Sequence, residues 1–474
     1  MRDNRGYTEH FNTIQRQRKI FPFKEKTHQK SMKKNESGKM TCLQLTMVVM
    51  LNMLGASIIL MPTKLADIGS QSILSWIVTI AGASTIAYVF AKCGMFSRRS
   101  GGMGGYASYA FGKSGSFLAN FSYGVSLVIA NLTIAISIVG YLIELFNWDL
   151  SPLEMGMMSI LVIWICSLPT LRGARFIGAM SHYSSYGILL PVLFLMVAGW
   201  SWFEPAQYWN AWNPHGMTLF QGVSAGISMT LWGFLGLETA CANAEAVECP
   251  EKSIPKAMVG ATLGAGVVYV GSVNICFGIV DPALLAQSTA PFGFVFATMF
   301  SPEVGKAVMA LMALACAGCL ASWQFTIAEV FRVSAREGYF PCIFGRVSPR
   351  LAVPWIGIAI VLVMQSLAAL LTIDPRLEHQ FYILKDLAVV TNLVPYLLTF
   401  AAVNVLIHRE GVEVKLGNRI TIFASIASVY SLYALYACGE VAMMWGALVT
   451  FGGIWLYGYA AKVLEKRGAL RGCE

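Results

Sequence analysis

Charge is scarce in this sequence. Asp, Glu, Lys and Arg make up 12% of its 474 residues, where a soluble domain carries roughly 25%. That shortage excludes an ordinary soluble fold. Also missing is any soluble stretch long enough for a conventional catalytic domain. The six His (His10, His28, His182, His215, His379 and His408) lie in or near loops without the spacing of metal ligands, so no metal site is expected. None of the 11 Cys pair up in an external loop. The C-x-x-C of Cys316 and Cys319 falls inside a long apolar run, where it reads as small packing residues rather than redox chemistry. The Gly-rich segment SRRSGGMGGYASYAFGKSG fits neither the Walker pattern nor a strand–helix context. No nucleotide, nucleic acid or other cofactor is therefore expected. No nucleophile–base constellation appears, which disfavours an enzyme.

What the chain has instead is apolar length: 56% of its residues are hydrophobic. Apolar stretches run over about 42–62, 72–96, 117–145, 153–170, 184–203, 218–244, 257–280, 303–330, 354–373, 381–407, 420–437 and 440–461. Each is close to the roughly 20 residues that cross a bilayer as a helix. The expected fold is an all-α polytopic membrane protein of about twelve helices. Residues 1–40 form a basic tail with 11 Lys/Arg against Asp3, Glu9, Glu25 and Glu36. It reads as a disordered cytoplasmic extension, or as a segment docking on anionic lipid. Residues 41–465 are expected to form one transmembrane domain, and 466–474 a short tail. An even helix number puts both termini on one side. With that side inside, only Lys64, Lys306, Arg376 and Lys385 of the 34 Lys/Arg fall outside, a strong positive-inside signal. The Trp-rich loop of Trp200, Trp202, Tyr208, Trp209 and Trp212 then reads as an external interface belt.

Two stretches carry internal breaks. The first has Gly55-Ala56-Ser57 in mid-membrane, and the sixth has Gly233 and Gly236 just before Glu238. Breaks five helices apart are what an inverted five-helix repeat gives, with the site at the half-helix ends. Exposed N–H groups there hold a carboxylate and freed C=O groups an ammonium; the plain alternative is Gly used for close packing. Glu238 is a charge deep in the membrane and a functional candidate by default. It would neutralise a cationic substrate or accept a coupling proton. Trp232 and Trp323 are aromatic faces that bind ammonium and aliphatic stems, or else pack. Tyr123 and Asn131, eight apart, share a helix face. Lys385 and Asp386 read as a self-paired, water-exposed couple at the outer start of the tenth stretch. Glu329, one turn from Arg332, reads as interfacial.

At these residues the chain resembles the amino acid–polyamine–organocation superfamily, and within it the bacterial basic amino acid/polyamine antiporters, in particular the putrescine–ornithine branch. The segments that carry the resemblance include MPTKLA, FAKCGMFSRRSGGMGGYA, GVSLVIAN, MTLWGFLGLETACAN, WQFTIAEVF and LAVVTNLVPYLL, spread from about residue 40 to about 460. The resemblance implies a twelve-helix inner-membrane exchanger. Its inverted repeat would span helices one to ten, with helices one and six broken, followed by two further helices. It implies that Glu238 is the substrate- and proton-sensitive carboxylate, Trp232 the outer gate and Trp323 the ring under the substrate's aliphatic chain. Tyr123 and Tyr396 would be inner gate residues, Asn131 a polar lining residue, and Gly55, Ala56, Ser57 and Gly236 part of the substrate site. Cys93, Cys241, Arg332, Tyr339 and Tyr457 fall on positions associated with transport in that branch. Three departures stand out: Gly55-Ala56-Ser57 replaces the usual Gly-Ser-Gly, Ser108 replaces an acid, and Lys385-Asp386 replaces uncharged residues.

The implied function is alternating-access exchange of putrescine for ornithine, with proton-coupled putrescine uptake on the same scaffold and a homodimer as an open assembly. Lysine/cadaverine and arginine/agmatine are alternative pairs. A non-transporting amino-acid sensor is the alternative of another class, and the lack of an output domain argues against it.

Overall fold

Each apolar stretch becomes a helix because a chain in lipid must satisfy its backbone hydrogen bonds internally. The computed structural model describes residues 41–466 except 98, 100, 101, 243–248, 337–339, 349–352 and 375. The basic tail of residues 1–40 and the end from 467 lie outside the described residues. Among the described residues there are helices and no strands.

The membrane helices begin with α1 (Cys42–Ser57) and its continuation α2 (Met61–Ile68), joined by a 3-10 turn at Ile58–Leu60. Then come α3 (Ile73–Phe96), α4 (Met103–Phe146), α5 (Pro152–Ser167) and α6 (Ala174–Ala198). The short helix α7 (Pro205–Asn210) leads into α8 (Leu219–Trp232), followed by a turn segment and α9 (Thr239–Ala242). After these run α10 (Pro250–Ile279), the short α11 (Pro282–Leu285) and α12 (Pro291–Met299), and α13 (Pro302–Arg336). The chain ends in α14 (Trp355–Leu371), α15 (Leu377–Arg409), α16 (Val414–Ala437) and α17 (Glu440–Lys466). Among the described residues nine helices are long and apolar enough to cross a membrane, and ten when the bent α1–α2 pair counts as one span. The remaining two of the twelve apolar stretches are the 17-residue α14 and the interrupted α8–α9. Exposed apolar side chains on outer faces, such as Val197, Leu371 and Trp455, fit a lipid surround.

Three helices start on capping boxes, Thr41 with Gln44, Ser151 with Glu154 and Thr218 with Gln221. In each, the hydroxyl and the N3 side chain satisfy backbone donors that the first turn leaves open. α15 packs along α4, α10 along α3 and α1, and α13 along α6 and α4. These helices enclose the two breaks.

Two local expectations change. α4 begins at Met103, not near 117, and kinks at Gly112, whose φ of 62° only Gly adopts readily. Its first turns carry Ser108, which is therefore buried in a helix and not in an open loop. The first helix also unwinds less than its Gly-Ala-Ser suggests. Helical geometry continues through Ser57, the Ile58 N–H still reaches Leu54 O, and the two halves meet at 46°. A bend with a tightened turn keeps hydrogen bonds that an open break would expose.

Candidate substrate site

The break after α8 is a run of turns. Gly233, Phe234 and Leu235 donate to carbonyls three residues back, and Gly236 stands at φ 110°. A side chain at 236 would be strained there, and its Cβ would lie 3.1 Å from the Trp323 ring. Thr239 Oγ1 donates to Gly236 O at 2.6 Å and accepts from Asn52 Nδ2 at 3.0 Å. The break is thus fastened to α1.

Glu238 follows, buried, with its carboxylate held from three sides. The Tyr123 hydroxyl of α4 donates to Oε1 at 2.9 Å. On Oε2 the Tyr396 hydroxyl of α15 donates at 2.6 Å and the Gly236 N–H at 3.0 Å. A carboxylate oxygen accepts about two hydrogen bonds, so among the described residues Oε2 is filled by Tyr396 and Gly236, while Oε1, with Tyr123 as its one donor from another residue, has a further acceptor position. That position suits a cationic N–H donor, and charge-assisted bonds of this kind are the strong ones.

Glu238 borders a cavity lined by Asn52, Met53 and Ser57 of α1, Ser126, Leu127, Ala130 and Ile134 of α4, Trp232, Leu235 and Gly236, Trp323 of α13 and Asn392 of α15. Two polar atoms on its wall have no hydrogen-bond partner among the described residues: Trp232 Nε1, a donor, and Asn392 Oδ1, an acceptor. A second cleft, between Leu60, Ile136 and Tyr382, has no charged residue among the described residues of its wall.

The structure therefore brings together Ser57, Trp232, Gly236, Glu238 and Trp323 at the cavity, with Tyr123 and Tyr396 behind the carboxylate. Gly55 and Asn131 do not line it. The Gly55 carbonyl accepts the Cys316 thiol at 3.2 Å, and a Cβ on Gly55 would meet Cys319 Sγ at 2.7 Å, so Gly55 and the C-x-x-C serve as close packing. Asn131 is fully buried with neither amide atom bonded among the described residues. The Ala56 and Cys241 side chains, and Tyr339 entirely, lie outside the described residues. Cys93 is buried in α3. Arg332 pairs with Glu329 through Nε at 2.8 Å. Tyr457 rests on Phe117, ring centroids 5.4 Å apart, away from the cavity. Ser108 accepts from Arg99 Nη1 at 2.6 Å, and the Arg99 guanidinium lies 4.3 Å over the Tyr109 ring.

Asn52, Asn392 and Tyr269 went unread in the sequence. Tyr269 of α10 sends its hydroxyl to the gap between the breaks, 2.8 Å from Met53 O, 2.7 Å from Gly233 O and 2.6 Å from Ser57 Oγ. Ser57 Oγ also donates to Met53 O. Two hydroxyl protons thus cover the two carbonyls that face each other across the breaks. The sequence signal of Tyr269 is a lone Tyr in an apolar helix.

A helical membrane bundle with interrupted spans, converging on one buried carboxylate in an aromatic-walled cavity, defines the class of small-solute carriers. The family follows from comparison: residues 40–457 match the amino acid permease family, and the chain belongs to that family of transporters rather than to the enzymes. It is 51% identical over 434 residues to the putrescine transporter PotE of Escherichia coli K12, covering 92% of this chain and 99% of that one. The putrescine transporter PotE of Haemophilus influenzae is 51% identical over 426 residues, 90% of this chain and 98% of the relative. The cadaverine/lysine antiporter of E. coli K12 is 30% identical over 389 residues, 80% and 85% of the two chains.

Proposed function

We propose that this protein exchanges putrescine for ornithine across the bacterial inner membrane, with both termini cytoplasmic. The observation that carries this reading is the open acceptor position on Glu238 Oε1, inside a cavity walled by Trp232 and Trp323. An ammonium docks on the carboxylate while the methylene chain lies on indole faces, a pairing of charge, cation–π and dispersion. Asn392 Oδ1 offers an acceptor for a second ammonium. Both substrates carry two amino groups, so one site serves each in turn. Proton-coupled putrescine uptake uses the same carboxylate. Support for the amine comes from the two putrescine transporters at 51% identity, against 30% for the cadaverine/lysine antiporter.

The test is counterflow in proteoliposomes loaded with putrescine and offered labelled ornithine, lysine and arginine separately. Ornithine is expected to exchange fastest. If ornithine were the poorest of the three, the substrate pair would be wrong.

A further inference from the structure

Among the described residues, two carboxylate or basic side chains are buried: Glu238 and, at 1% exposure, Lys385. Lys385 is not the water-exposed half of a surface couple. Its Nζ donates to Ser228 Oγ of α8 at 2.8 Å and to Asp386 Oδ1 beside it. The third N–H of the ammonium has no partner among the described residues.

Helix geometry fixes where this charge stands. Ser228 is one turn before Trp232 on the same face of α8, and Lys385 is two turns before Asn392 on the same face of α15. Trp232 and Asn392 both line the cavity. The ammonium therefore sits over the Trp232 end of the site, roughly 6–10 Å along the helices from its wall. The charge count places that end toward the outside. Asp386 does not erase the field: its side chain is 22% exposed, against 1% for Lys385. Water screens the anion more than the cation. A buried charge retained at such cost marks function more than stability.

We propose that Lys385 is a specificity-determining cation, which discriminates against dications at the outer end of the site. Putrescine carries two positive charges and no negative one; ornithine carries two positive charges and a carboxylate. The fixed ammonium repels the first more than the second, and so biases the outward-facing site toward loading the amino acid. This rests on the exchange reading above, and the two fail differently. Loss of ornithine counterflow in the unmodified protein removes that reading, whereas the inference stands or falls on a ratio between variants.

The experiment measures KM for labelled putrescine and ornithine at the outer face, in right-side-out vesicles. Lys385→Met is expected to lower the putrescine KM about three- to tenfold, with ornithine changed less than about twofold, the size expected for one partly compensated charge at this range. Lys385→Arg keeps the unmodified ratio. Asp386→Asn, which uncovers the cation, moves the putrescine-to-ornithine ratio in the opposite direction and decides the matter if Lys385→Met fails to reach the membrane. Equal changes for both substrates in Lys385→Met, or an unchanged or lowered ratio in Asp386→Asn, overturns the proposal.

Discussion

Tyr396 donates its hydroxyl to Glu238 Oε2 at 2.6 Å, across 158 residues of sequence. The bond ties α15 to the break after α8, so the orientation of the carboxylate depends on where α15 stands. Tyr123 does the same from α4 through Oε1. A rocking of either helix during alternating access would redirect the carboxylate that we propose holds the substrate.

Because both tyrosines act through one carboxylate, their losses should not multiply. A hydrogen bond to a charged group contributes about 1.5–3 kcal/mol. Tyr123→Phe and Tyr396→Phe are each expected to cut exchange by about 10-fold or more. The double variant should fall short of the product by at least about 0.5 kcal/mol. Exchange rates of the four proteins give the coupling directly, and strict multiplicativity means that the tyrosines act separately.

Tyr269→Phe removes one of the two protons that cover the facing carbonyls. Ser57 still serves Met53 O, so Gly233 O is the group left bare, at about 1–3 kcal/mol. The expected result is a lower unfolding temperature in detergent and a slower maximal rate, with KM nearly unchanged. Ser57→Ala should be milder, since Tyr269 remains. A KM effect larger than the rate effect would make Tyr269 a ligand instead of a fastening between the breaks.

Trp323→Leu keeps apolar contact but loses the cation–π contribution of about 0.5–2 kcal/mol. Affinity should fall roughly 2- to 30-fold, with Trp323→Phe less affected. Identical Phe and Leu variants would show that Trp323 only packs against Gly236.

Ser108 changes its meaning once Arg99 is seen bonded to it. A carboxylate there would pair with Arg99 before it met a diamine. Ser108→Glu alone is therefore expected to move the cytoplasmic putrescine KM by less than about twofold, since the Arg99 guanidinium takes up the added charge. In an Arg99→Gln background the same change should lower that KM further. Equal effects in both backgrounds would show that Arg99 does not neutralise the site.

The helices were legible because lipid leaves a 20-residue apolar run little alternative. Glu238 and the break before it were legible for the same reason: an acid beside paired glycines is costly in a membrane and has few explanations. What escaped was set by partners distant in sequence. Tyr269 is an ordinary aromatic until Met53 and Gly233 arrive from two other helices. Lys385 beside Asp386 looks self-sufficient, and only Ser228 shows which way its ammonium turns. Gly55-Ala56-Ser57 suggested an open break, but Ser57 closes onto Met53 O and the two halves meet at 46° through a 3-10 turn. The helical turns from Met103 were hidden by four glycines in six residues, which weaken a helix signal without preventing a buried helix.

Equilibrium binding of putrescine to purified Glu238→Gln in lipid nanodiscs shows whether the Glu238 carboxylate holds the substrate cation. The amide keeps the size and removes the charge. Loss of a buried charge partner costs a few kcal/mol, so affinity should drop on the order of a hundredfold in a protein that is otherwise folded and membrane-inserted. A dissociation constant equal to that of the unmodified protein would mean that the carboxylate does not hold the cation.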